Sequence, residues 1–127
     1  MKLLLDTHVL LWWLELNAKL GDEARALIDD PENEAMVSIV SFWEIAVKVR
    51  VGKLKADIAA IARVIEEQRL TRLPVEDSHL HTLLRLPRHH GDPFDHLLIS
   101  QAIAEGAGFV THDRAATRYP VKVIAAG

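Results

Sequence analysis

Four acids stand where a chain of alternating strands and helices would bring them to one crevice: Asp6, Glu44, Asp95 and Asp113. Asp6 interrupts the apolar opening MKLLLDTHVLLWW, a costly place for an idle charge. Two carboxylates roughly 5 Å apart repel by about 3 kcal/mol at an effective dielectric of about 20. A cluster of them must therefore stay partly protonated or hold a cation. Oxygen donors without any cysteine point to Mg²⁺ or Mn²⁺ rather than a structural zinc. Hard cations on carboxylates suit phosphate chemistry, because they acidify water and neutralise charge on the phosphate.

Each acid also has a plainer explanation. Asp95 falls at N3 after an Asp92 cap and would complement the helix dipole. Glu44 and Lys48 are spaced as an i, i+4 surface pair, and Asp113 would cap the short segment after it. Asp6 is the hardest to explain in this way, and the joint placement of all four favours a site.

The elements that must position these acids follow from periodicity. KLLL (residues 2 to 5) and MVSIV (36 to 40) read as buried strands, with further strands at 72 to 75, 108 to 111 and 121 to 124. Helices are expected in DEARALIDD before Pro31, FWEIAVKVRV before Gly52, DIAAIARVIEEQRL, SHLHTLLRL before Pro87, and DPFDHLLISQAIAEG. In the last of these Asp92 is the N-cap, Pro93 sits at N1 and Gly106 is the stop. PRHHGD (87 to 92) is the one conspicuous loop. Such alternation predicts an α/β fold with a central, mostly parallel sheet covered by helices on both faces, in one domain spanning residues 1–127. In that arrangement ligands sit beyond the carboxyl ends of the strands where strand order reverses. If the first strand and GFVT are neighbours, the four acids meet there.

Composition sets the outer bounds. Half of the 127 residues are hydrophobic and 26% charged, as in a soluble globular protein, and no apolar run reaches membrane-spanning length. Lys2 and the leucines after it hint at a secretory leader, but Asp6 and His8 break the run and no small-residue cleavage site follows; a cytoplasmic protein is expected. A net charge of −3 disfavours whole-molecule attraction to nucleic acid but allows a local basic rim. Lys48, Arg50, Lys53 and Lys55 form one basic run, and Arg114 and Arg118 lie beside Asp113. Trp12 and Trp43 are expected in the core, with one of the adjacent pair Trp12 and Trp13 pointing outward. Among the seven histidines, His79, His81, His89, His90 and His96 lack the spacing of a helical zinc motif and are expected to be solvated.

Taken in order, LLLDTHVLLW, SFWEIAVKVRVGKL, DPFDHLLISQA and FVTHDRAATRY closely resemble the PIN-domain nucleases, specifically the VapC-type toxins of bacterial toxin–antitoxin pairs. The resemblance covers essentially the whole chain. It implies a PIN-like α/β/α fold and a Mg²⁺- or Mn²⁺-dependent endoribonuclease. Position by position, it puts the family's acids on Asp6, Glu44, Asp95 and Asp113, with Asp6, Asp95 and Asp113 as metal ligands. Asp92 competes with Asp95, which is preferred because Asp92 already has a capping task. Thr7, Ser41, Thr111 and Arg114 fall at positions that would orient the acids or meet substrate. The partners implied are an RNA substrate, a VapB-like antitoxin and a second copy in a homodimer. The sequence departs from the pattern at His96, where arginine is common, and at His112. Rival readings are a catalytically silent PIN-like module that binds RNA or protein, and a nuclease for DNA or structured substrates.

Overall fold

A computed structural model describes all residues, Met1–Gly127. The elements, in chain order, are β1 (Lys2–Leu5), α1 (Thr7–Glu15), α2 (Asp22–Asp29), β2 (Glu34–Ser38), α3 (Ile39–Arg50), α4 (Ile58–Glu67), β3 (Thr71–Leu73), α5 (Asp77–Arg85), α6 (Pro93–Glu105), β4 (Gly108–Thr111), a 3₁₀ turn (Arg114–Arg118) and β5 (Val123–Ala125). The strands form one sheet in the order β3-β2-β1-β4-β5. Every pairing is parallel, so the sheet is wholly rather than mostly parallel. Strand order reverses between β1 and β4, whose register pairs Leu5 with Val110.

The central strand shows why its sequence is continuously apolar. Leu3 and Leu5 join a core beneath α1, α2 and α4, whereas Leu4 joins a second core with Met36, Phe109, Leu98 and Ile99 on the opposite face. A strand covered on both faces has no polar side to display. α6 begins at Pro93 and ends at Gly106, which takes the left-handed conformation (φ 65°) expected of a C-terminal glycine.

β3 and β5 are displaced by one or two residues at their ends from the expected 72 to 75 and 121 to 124, and two further differences have a local cause. Within MVSIV the strand stops at Ser38, whose hydroxyl accepts from the Val40 amide at 2.9 Å, so Ile39 and Val40 open α3. α1, which periodicity did not mark, is a helix capped by Asp6 and closed by Leu16 at φ 53°. No helix is long and apolar enough to cross a membrane.

The tryptophans are also redistributed. Trp13 is buried with its indole N–H donating to Asp29 Oδ1 at 3.0 Å, and Trp12 is half-buried. Trp43 is not a core residue: it is 51% exposed and packs edge-on against Phe94 at 4.7 Å. The reason is its position on α3, where Phe42 and Ile45 take the inward face.

Candidate active site

Because β1 and β4 are neighbours, the turns leaving them open into the same crevice. Asp6 leaves β1 as the N-cap of α1, with Oδ1 accepting from the Val9 amide at 2.8 Å. Asp113 leaves β4 as the cap of the 3₁₀ turn and accepts from the Ala115 amide at 2.9 Å. Thr111 ties the two together. Its hydroxyl donates to Asp6 Oδ2 in a short hydrogen bond and accepts from the Asp113 amide at 3.0 Å. Asp92 caps α6 through the Phe94 and Asp95 amides and so sets Asp95 in the first turn. α3 contributes Glu44, and buried Ser41 accepts from the Thr7 hydroxyl at 3.0 Å, fastening α3 to α1.

The resulting cavity, of about 210 Å³, is lined by Asp6, Thr7, His8, Glu44, Lys48, Asp92, Asp95, His112 and Asp113, none of them hydrophobic. Five carboxylates thus face one lysine. Lys48 Nζ lies 2.7 Å from Glu44 Oε2, so the expected pair exists; yet Glu44 is only 4% exposed, and its Oε1 has no partner. Burial holds the Asp6 carboxyl above its ordinary range, against the opposing pull of Thr111, the Val9 amide, His112 and His8. Asp95 is pushed up to about 7, first by burial and then by the charges of Asp92, Asp6, Glu44 and Asp113. A buried, unpartnered oxygen beside carboxylates that resist ionisation is the pattern expected of a divalent-cation site with hard oxygen donors, and the residues fit such an ion.

All four acids singled out from the sequence line this cavity, together with Asp92 and Thr7. Ser41 and Thr111 lie behind it as hydrogen-bond partners of Thr7 and Asp6. Arg114 is exposed and outside the lining, as are Arg50, Lys53 and Lys55. His8 escaped the sequence reading as a site residue, because its place beside Asp6 on the first turn of a helix depends on α1, which periodicity did not mark.

The histidines need correction. His79 is fully buried, not solvated, and the ring nitrogens Nε2 of His90 and His96 are buried without partners. His96 turns away from the cavity to stack on His90 at 4.8 Å, nearly parallel. Potential ligand atoms of His90, Asp95 and Asp113 fall within 4.8 Å of one another, as do those of Asp6, His8 and His112. The acids are therefore flanked by imidazoles on two sides.

The PIN-domain family model matches residues 3–122. The chain is 28% identical to Ribonuclease VapC22 of Mycobacterium tuberculosis over 113 residues, 87% of this chain and 86% of that protein. It is 34% identical to Ribonuclease VapC16 of the same organism over 79 residues, 61% of this chain and 55% of that protein. In fold it is similar to a chain in the crystal structure of VapBC2 from Rickettsia felis bound to a DNA fragment from their promoter, with a TM-score of 0.77, 19% identity and 98% of each chain covered.

Proposed function

The chain belongs to the PIN-domain family, and from that premise we propose that it is a divalent-metal-dependent endoribonuclease acting as the toxin of a toxin–antitoxin pair. The observation that carries this reading is the excess of carboxylates at the switch point of a parallel sheet, with a buried Glu44 oxygen left unpartnered. Asp6, Asp95 and Asp113 would hold Mg²⁺ or Mn²⁺, with Glu44 completing the set. The chemistry supplied by such an ion when bound is acidification of a water and neutralisation of charge on the scissile phosphate.

The chain's own residues do the rest. Thr111 fixes the separation of Asp6 and Asp113 by bonding both, and the Thr7 to Ser41 bond fixes α1 against α3. Lys48 offsets the Glu44 charge and, being part-exposed, also faces incoming phosphate. Hydrolysis in this site puts the water oxygen on phosphorus and leaves 5′-phosphate and 3′-hydroxyl ends, so the RNA 2′-hydroxyl has no chemical role. Single-stranded or loop RNA is the substrate class, since its bases are free to be read.

The names of the curated relatives, both ribonucleases, support the activity, and a toxin–antitoxin complex sharing the fold supports a VapB-like antitoxin as partner. An antitoxin tail with a basic side chain would match a cavity holding five acids and one lysine. A second copy of the chain is proposed at α3, where exposed Ile39, Trp43 and Val47 recur at i, i+4 and i+8 on one face. Incubating purified protein with a panel of single-stranded RNAs and Mg²⁺ or Mn²⁺ tests the activity. Metal-dependent products with 5′-phosphate ends are expected; products with 2′,3′-cyclic phosphate ends, or cutting that persists in EDTA, would refute the mechanism.

A further inference from the structure

Beside the acids lies a group of rings that the chemistry above does not use. His8 and Trp12 share one face of α1 at i, i+4, and His112 follows β4 between Thr111 and Asp113. Ring centroids are 4.8 Å apart for Trp12 and His112, 5.2 Å for His8 and His112, and 6.3 Å for His8 and Trp12. The rings meet at 50° to 78°, so none is paired face to face with another. His8 and His112 are exposed and Trp12 is half-buried. His112 Nδ1 lies 3.9 Å from Asp6 Oδ2, which puts the cluster one side chain from the acids. Lys19 Nζ stands 6.0 Å from the Trp12 ring centre.

The contrast with the imidazoles on the other flank is instructive. There His90 and His96 are stacked on each other within 4° of parallel, and both touch the buried ring of Tyr119, whose hydroxyl accepts from the His89 and His90 amides. Those rings hold a loop in place. The His8 and His112 rings make no comparable internal hydrogen bond and meet solvent where they line the cavity, while Trp12 beside them is half-buried, resting partly on the core beneath α1.

We propose that His8, Trp12 and His112 form a stacking platform for an unpaired nucleobase of the RNA strand whose phosphate enters the acidic cavity, with Lys19 meeting a neighbouring phosphate. Flat rings at the edge of a phosphate-binding pocket, next to a cation, are the combination by which proteins hold single strands without reading their sequence. The platform rests on the nuclease reading for its substrate but not for its test, which withholds metal so that nothing is cut.

Binding of a short, unstructured, fluorescein-labelled RNA in EDTA is compared with binding of a strand of equal length and charge whose bases have been removed. The wild-type protein is expected to prefer the base-bearing strand about tenfold, as the loss of one base–aromatic stack predicts. It should also show tryptophan quenching with that strand alone. His112→Ala and Trp12→Leu should both bind the base-bearing strand as weakly as the wild type binds the abasic one. His112 is exposed, so its variant keeps the test sharp even if Trp12→Leu folds poorly. Equal affinity of the wild type for both strands, no binding of either strand, or a preference that survives His112→Ala would overturn the platform. Failure of metal-dependent cleavage alone would overturn the nuclease reading and leave this result standing.

Discussion

Two polar clusters are buried in this molecule, and they are treated in opposite ways. Around α6, Gln101 accepts from the Ser38 hydroxyl at 2.5 Å and donates to the Pro74 carbonyl at 3.1 Å. His79 accepts from the Glu76 amide at 3.0 Å through Nδ1, so its Nε2 proton goes to Glu105 at 2.8 Å. Each group is answered by another. At the crevice beyond β1 and β4, five acids gather around one lysine, and a Glu44 oxygen has no partner. Buried polar groups that satisfy one another hold a fold together. The Glu44 oxygen, left unsatisfied among carboxylates that resist ionisation, is arranged for a group that arrives from outside.

Substitutions on the two sides should separate activity from stability. Asp6→Asn keeps a capping side chain for α1 and should retain the fold while lowering RNA cleavage by about 10³-fold or more. Circular dichroism alongside a cleavage assay checks both halves. Gln101→Leu should do the reverse. It leaves the buried Ser38 hydroxyl without its acceptor and removes the donor to the Pro74 carbonyl, and a loss of about 2 kcal/mol is expected in denaturant unfolding, with cleavage per folded molecule unchanged. If Gln101→Leu abolished cleavage in folded protein, the division between the clusters would collapse.

A finer test uses protons. The folded pKa of Asp95 is raised to about 7 from 3.8, so its ionisation opposes folding. The stability of the protonated form is fully present below the unfolded value and is lost as pH rises through about 7. In metal-free protein Asp95→Asn should therefore stabilise at pH 8, by about 1 to 2 kcal/mol after allowing for solvent screening, and the gain should vanish near pH 4. A gain that did not change with pH would show that ionisation of Asp95, opposed by burial and then by its acidic neighbours, is not its source. The same proton competes with metal, so Mn²⁺ affinity should fall up to about tenfold per pH unit below 7 and level off above it.

Much of this arrangement was legible in the sequence because strands covered on both faces leave little freedom. KLLL and GFVT read as buried strands, and parallel order then put Asp6 and Asp113 at the same end. Asp92, Pro93 and Gly106 marked α6 at both ends. α1 was not legible: VLLWW shows no polar face of helical period, and its cap is the same Asp6 that reads as a site residue. Ser38 was likewise hidden inside an apolar run, where its capping role depends on a turn that only packing reveals. His79 and Trp43 were assigned to the wrong environments for one reason. Burial of a single side chain depends on which neighbour covers it, and spacing along one helix does not say that α6 covers His79 through Glu105 while Trp43 is left open. The plainer reading of Glu44 and Lys48 as a surface pair fails on burial: the pair forms, but Glu44 is buried at the cavity.

The claim that the unsatisfied cluster awaits a divalent cation is tested most directly by titrating Mn²⁺ into metal-free protein in a calorimeter near pH 6, in two buffers of different ionisation enthalpy. Saturable binding with net release of protons is expected, and it should be lost in Asp6→Asn and in Asp95→Asn but kept in Gln101→Leu. Absence of saturable binding, or binding that survives both acid substitutions, would contradict it.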